Sequence, residues 1–195
     1  MIKFLRRSQP QDPTYKEQDL QLHEVLKAPN PKELDVQAIT KAVLKKLEIL
    51  QNKQKKIKLL KTIGRLELAW VPPVLLDLLS DPCEEIRDIA VKGLAARDDW
   101  PVDKAYQKLS QAPWYVKSSA LRILSLKKPG EAVRHIKQVL EDPNVDVRRS
   151  AAGALGEIGG QAARALLISL AKDKNLYVRK AAQQALDKVC DLKFS

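Results

Sequence analysis

Apolar and polar positions in the second half of the chain return in step. The segment Asp142-Pro-Asn-Val-Asp-Val-Arg-Arg-Ser-Ala-Ala-Gly-Ala-Leu-Gly matches Asp173-Lys-Asn-Leu-Tyr-Val-Arg-Lys-Ala-Ala-Gln-Gln-Ala-Leu-Asp, and the two start 31 residues apart. The same step back reaches Gln111-Ala-Pro-Trp-Tyr-Val-Lys-Ser-Ser-Ala-Leu-Arg-Ile-Leu, then Asp81-Pro-Cys-Glu-Glu-Ile-Arg-Asp-Ile-Ala-Val-Lys-Gly-Leu. A degraded copy begins at Leu50. Each period predicts two helices. The first is a Leu-rich stretch, such as Val74-Leu-Leu-Asp-Leu-Leu or Ala165-Leu-Leu-Ile-Ser-Leu. A turn carrying Asp, Pro or Asn stops it and caps the second helix, which starts near the Val-Arg pair.

Stacking the copies separates the columns by chemistry. The Val column reads Lys55, Ile86, Val116, Val147 and Val178; four residues on stand Leu59, Ala90, Ala120, Ala151 and Ala182; eight on stand Ile63, Leu94, Leu124, Leu155 and Leu186. Apolar residues at this spacing form one helix face, and the small side chains let neighbouring helices lie close. Such a face cannot be buried within one hairpin, but copies stacked side by side bury it. The residue after the Val column is always basic (Lys56, Arg87, Lys117, Arg148, Arg179), and Asp81, Asp142 and Asp173 recur six residues before it. This predicts a structural ladder in which each base reaches the turn acid of its own or an adjacent repeat.

The Asp-Pro-x-x-x-Val-Arg-x-x-Ala-x-x-Ala-Leu-Gly pattern in 31-residue units resembles HEAT repeats of the phycobilisome-lyase-like subtype. The resemblance covers residues 35–195 and is strongest from 129 onward. It implies an all-α fold: a right-handed α-α superhelix (a HEAT-like solenoid) of about five two-helix repeats, roughly 35–66, 71–96, 101–126, 129–158 and 160–190, with an N-terminal capping helix. Residues 1–34 fall outside the array, where Pro10, Pro13, Pro29 and Pro31 bracket one expected helix, 14–27. That segment either caps the first repeat or serves as a peptide-like arm. For function the resemblance is weak, because such repeats serve bilin lyases, chaperones, scaffolds and a DNA glycosylase group.

Composition agrees with helices filled by aliphatic residues: 45% hydrophobic, 5% aromatic, seven glycines. The formal charge is +11, and the excess is concentrated in residues 1–70, with fifteen bases against eight acids. It points to an acidic protein, nucleic acid or an anionic membrane surface, or else to a solvated Lys-rich helical surface. Two cysteines, Cys83 and Cys190, give no disulfide framework, and no apolar run is long enough to span a membrane. The expectation is a cytoplasmic monomer.

The resemblance places the second helix of each repeat on the concave side. The columns turned to that side carry Lys61, Lys92 and Arg122 as a basic row, continued one column over by Arg149 and Lys180. Trp114, Tyr115 and Tyr177 stand beside them. Bases interleaved with aromatics suit a protein partner, since Arg, Tyr and Trp dominate binding hot spots. These eight residues are the expected contacts for an acidic segment of another protein. A nucleic-acid strand is the alternative, tempered by Glu84, Glu85, Asp88, Asp146 and Glu157 on the same surface. No cofactor is expected. His23 and His135 lie far apart, neither with a second His or Cys at ligand spacing, so no metal site is expected either. His23-Glu24 is similar to the His-Glu pairs of HEAT-fold deoxyhypusine hydroxylases, but one pair is too few. Nothing requires catalysis. The enzymatic rival implied by the repeat subtype is a bilin lyase-like chaperone, with Arg122 or Arg149 on tetrapyrrole propionates and Trp114 and Tyr115 against its rings.

Overall fold

The 31-residue pattern resolves into antiparallel helix pairs. The computed structural model describes residues 36–50, 52–128 and 130–191. Among these are ten α-helices and no strand. The 14–27 helix and His23 lie outside the described residues. The chain divides into two compact units, 1–59 and 60–195.

In the first unit, α1 (Val36–Ile49) buries Thr40, Val43 and Leu47, one stripe at helical spacing. The Thr40 hydroxyl donates back to the Val36 carbonyl at 2.7 Å. Helix α2 (Lys53–Ile63) crosses the unit boundary and is capped by Asn52, whose Oδ1 accepts the Lys55 amide at 3.0 Å. Its register differs from the sequence expectation. Ile57, Leu60 and Ile63 are buried, whereas Lys55 is exposed and Leu59 half-buried. The Val column of this Lys-rich copy is therefore not a core column, and Ile57, two residues on, belongs to the core instead. A lysine cannot fill a core slot, so the helix turns to bury its isoleucines.

The second unit holds four hairpins: α3 (Val71–Leu78) with α4 (Glu84–Ala95), α5 (Val102–Gln111) with α6 (Trp114–Lys127), α7 (Ala132–Ile136) with α8 (Val145–Ile158), and α9 (Gly160–Leu170) with α10 (Leu176–Asp191). Helix α7 is short and continues as a 3-10 turn, Lys137–Val139. The second helices pack in series, α4 on α6, α6 on α8, α8 on α10; α7 and α9 each touch their own second helix and the one before. The unit is thus an all-α solenoid of HEAT-like hairpins.

Burial follows the columns. Ile86, Ala90, Leu94, Val116, Ala120, Leu124, Val147, Ala151, Leu155, Val178 and Ala182 are all 0–3% exposed. Leu186, in the same column, is only half-buried; in its place Ala185 and Val189 close the last helix. Trp70 is buried at the start of α3, and Trp100 half-buried before α5. Helices α8 and α10 approach closely at Gly156, where a Cβ would meet the Ala185 Cβ at 2.7 Å and its Cα at 3.1 Å.

Polar bonds repeat with the same step. The Asp142 and Asp173 carboxylates accept the amides of Asn144 and Asn175, at 2.9 and 2.7 Å, and the two asparagines cap α8 and α10. Arg148 donates from Nη1 to the Asp142 carbonyl of its own turn at 2.7 Å. Its Nε and Nη2 grip Asp173 of the next turn at 2.8 and 3.1 Å. Lys117 reaches Asp142 in the same forward direction at 2.7 Å. Arg87 and Arg179 make the own-turn bonds, to the carbonyls of Asp81 and Pro82 and of Asp173 and Lys174. The ladder therefore runs forward by carboxylate and inward by carbonyl. Lys56 falls in the unit 1–59. A second ladder, absent from the sequence reading, joins the loops after the second helices: Arg97 donates to the Leu66 carbonyl at 2.6 Å and Lys127 to the Arg97 carbonyl at 2.5 Å.

Two outcomes test this packing. Gly156→Ala should destabilise the chain by about 1–3 kcal/mol, because its methyl has no room against α10. Gly153→Ala, on the same helix with nothing within 4 Å of its Cβ, should stabilise by up to about 1 kcal/mol through helix propensity. Urea unfolding midpoints measure both, and equal shifts would contradict the close approach. The second concerns the ladder. The hydrogen bonds from Arg148 hold the Asp173 carboxyl below its ordinary range. A depressed folded-state value adds stability above the unfolded-state value, lost as pH falls through the folded one. Asp173→Asn should cost about 3–5 kcal/mol at neutral pH, by leaving the 3%-exposed Arg148 without its counter-charge. The gap between wild type and variant should narrow as acid titrates Asp173, measured by unfolding at stepped pH.

Candidate functional site

Small side chains on the second helices leave a groove across α4, α6 and α8. Ser118, Ser119 and Ser125 of α6 and Ser150, Gly153 and Ala154 of α8 line a concavity of about 570 Å³, together with Glu84, Arg87, Asp88, Trp114, Tyr115, Arg122, Asp146, Arg149 and Glu157. The serines are satisfied within the protein. Ser119 and Ser125 donate to the Tyr115 and Arg122 carbonyls at 2.9 and 2.8 Å, and the Ser150 hydroxyl meets that of Ser118 at 3.3 Å. A floor of short, satisfied polar groups accepts a polar chain without an obligatory bond.

Aromatic surface stands at the entry of α6. Trp114 is 49% exposed and meets Tyr115 edge-on, ring centroids 5.9 Å apart. Tyr115 is half-buried, and the Arg87 guanidinium lies over its ring, 5.0 Å from the centroid. A half-exposed indole held by a second ring loses little freedom when a ligand covers it.

The electrostatics differ from the expected basic row. Three arginines line the groove, against four acids. Arg122 is paired with Asp88 of the preceding repeat, and Arg149 with Asp146 on its own helix at 3.0 Å. Glu157 is paired with Lys188 of α10 at 2.5 Å. The Asp88–Arg122 and Glu157–Lys188 pairs arise only when successive repeats stack, which a linear alignment does not display, whereas Arg149–Asp146 is local to one helix. All are exposed, so each contributes only about 0–1 kcal/mol and exchanges readily for a ligand charge.

Of the eight contacts expected from sequence, Trp114, Tyr115, Arg122 and Arg149 line this one groove. Lys61, Lys92, Tyr177 and Lys180 are exposed but are not part of its lining. Arg87, assigned from sequence to the structural ladder alone, lines the groove as well. The signal for it was present: the turn that should receive its carboxylate bond reads Gln111-Ala-Pro113 in place of Asp-Pro-Asn. Among the described residues no group of His, Cys, Asp and Glu is arranged to hold a metal ion, and no helix is long and apolar enough to cross a membrane.

The family model described as HEAT repeats matches residues 102–187, from α5 into α10. No curated protein sequence matches the chain. Similar solved structures include human deoxyhypusine hydroxylase in complex with glycerol, 14% identical, TM-score 0.47, covering 91% of this chain and 99% of that one. A designed armadillo repeat protein in complex with the peptide (KR)4 is 18% identical, TM-score 0.46, covering 92% and 95%. An engineered protein is 18% identical, TM-score 0.43, covering 93% of each chain. Residues 102–187 are thus similar to HEAT repeats, and these matches do not single out the lyase-like subtype.

Proposed function

We propose that the chain is a non-catalytic protein-binding module, an adaptor, scaffold or assembly factor, which holds an extended segment of another protein in the α4–α6–α8 groove. The observation that carries this reading is the juxtaposition of a half-exposed Trp114 with exchangeable arginine pairs over a serine floor. An aromatic anchor flanked by arginines is the composition of a binding hot spot. The four lining acids argue for a partner whose acidic residues are spaced to meet Arg122 and Arg149, and against a continuous acidic run. They weigh equally against a nucleic-acid backbone, which would bring a phosphate against each of them.

Display of random peptides against the full chain tests the proposal. Enriched peptides should carry an aromatic residue or proline near an isolated Asp or Glu. Trp114→Ala and Arg149→Ala should each weaken their binding by about 1–3 kcal/mol. Charge reversal at Lys61 or Lys180 should change it by less than about twofold, as expected outside the contact. Undiminished binding by the Trp114 and Arg149 variants would move the site elsewhere. A steep loss of oligonucleotide affinity with salt would favour nucleic acid instead.

A further inference from the structure

Among the described residues two ladder arginines, Arg87 and Arg179, meet no carboxylate, and of these Arg87 opens into the groove. Arg148 shows what a complete rung looks like. One nitrogen is tied to the carbonyls of its own turn, and the other edge of the guanidinium takes both oxygens of Asp173 in the next repeat. Arg87 is fixed in the same way, with Nη1 donating to the Asp81 and Pro82 carbonyls at 2.8 and 2.9 Å. The residue standing where Asp142 and Asp173 stand in later repeats is Gln111. Among the described residues, no carboxylate meets the Nε and Nη2 edge of Arg87. Two residues on, Pro113 replaces the asparagine of the later turns. It has no amide to donate, and α6 begins without a side-chain cap. An internal aspartate would therefore find no amide there to accept from, and the guanidinium is left as the unanswered half of a bidentate pair.

We infer that the Arg87 guanidinium, stacked on Tyr115, is a receptor for an aspartate side chain carried by the partner segment, which completes the rung that the chain leaves open at Gln111. The inference rests on the groove reading above and assigns its first specific contact. Two features favour an outside ligand over an idle arginine. Arg87 lines the groove, so a segment lying there reaches it. Its two carbonyl bonds and the Tyr115 ring hold the fork in place before the ligand arrives, so little side-chain freedom remains to be lost. Arg179 has the same own-turn bonds but does not line the groove. Of the nearby acids, Asp88 is taken by Arg122, and Glu84 makes no ion pair with Arg87. Their charge raises the demand on geometry and favours one well-placed carboxylate over several.

The test uses the full chain and two terminally blocked peptides, Ser-Asp-Pro-Asn-Val and the same sequence with Asn in place of Asp, followed by the Arg87 side-chain Nε–H resonance and the Trp114 indole N–H. The Asp peptide should shift both resonances and bind about tenfold more tightly than the Asn peptide. Gln111→Asp should supply the carboxylate from within: the Arg87 resonance moves toward its ligand-bound position without peptide, the melting temperature rises, and Asp-peptide affinity falls about tenfold. No residue of the fold is removed in that variant, so loss of structure does not confuse the result. Equal binding of the two peptides, or a Gln111→Asp chain that binds as wild type, overturns the inference. If the Trp114 resonance still moves while Arg87 is silent, the groove stands and only the Arg87 assignment fails. If neither moves with any peptide, the groove reading falls as well.

Discussion

Each hairpin in residues 60–195 carries more apolar surface than its two helices can hide from one another. The second helices carry the clearest case, with Val, Ala and Leu returning on one face and packing in series from α4 to α10. That shared burial fixes the rest. It sets how closely backbones must approach, which is why Gly156 faces Ala185 with no space for a methyl. It also brings each turn alongside the next, so that a base after one core valine meets the acid of the following turn. The burial supplies the driving force; the polar ladder, made of groups that must be satisfied once buried, selects the register.

The same constraint explains the groove. Core columns are held to a few residue types by packing, while the neighbouring columns are free to vary. In α6 and α8 those columns carry Ser118, Ser150 and Gly153, and the surface recedes there. At the Gln111–Pro113 turn the polar ladder also departs from its pattern. A ladder residue, Arg87, becomes a groove residue through that single departure, without any change in its own anchoring.

Much of this was legible in the sequence, and the failures are specific. The core columns of α4, α6, α8 and α10 could be read because hydrophobic period and burial are the same fact seen twice. The copy at Leu50 misled because its lysines break the column, and only packing chose Ile57, Leu60 and Ile63 in their place. The acid and base of the ladder were visible by type, but its forward direction required geometry. The loop ladder of Arg97 and Lys127 escaped because its acceptors are backbone carbonyls, which no residue type advertises. The pairing of Arg122, one member of the expected basic row, escaped for a related reason. Asp88 and Arg122 are 34 residues apart in sequence and become neighbours only when repeats stack.

The contrast between a filled and an open rung is the central claim, and paired double-mutant cycles measure it directly. Arg148→Gln with Asp173→Asn, and Arg87→Gln with Gln111→Ala, can be compared by urea unfolding of the free protein. The account predicts a coupling of about 2 kcal/mol for the first pair and close to zero for the second, since only the first shares a bidentate bond. Equal couplings would mean that Gln111 already answers Arg87, and that the groove holds no unmet charge for a partner to satisfy.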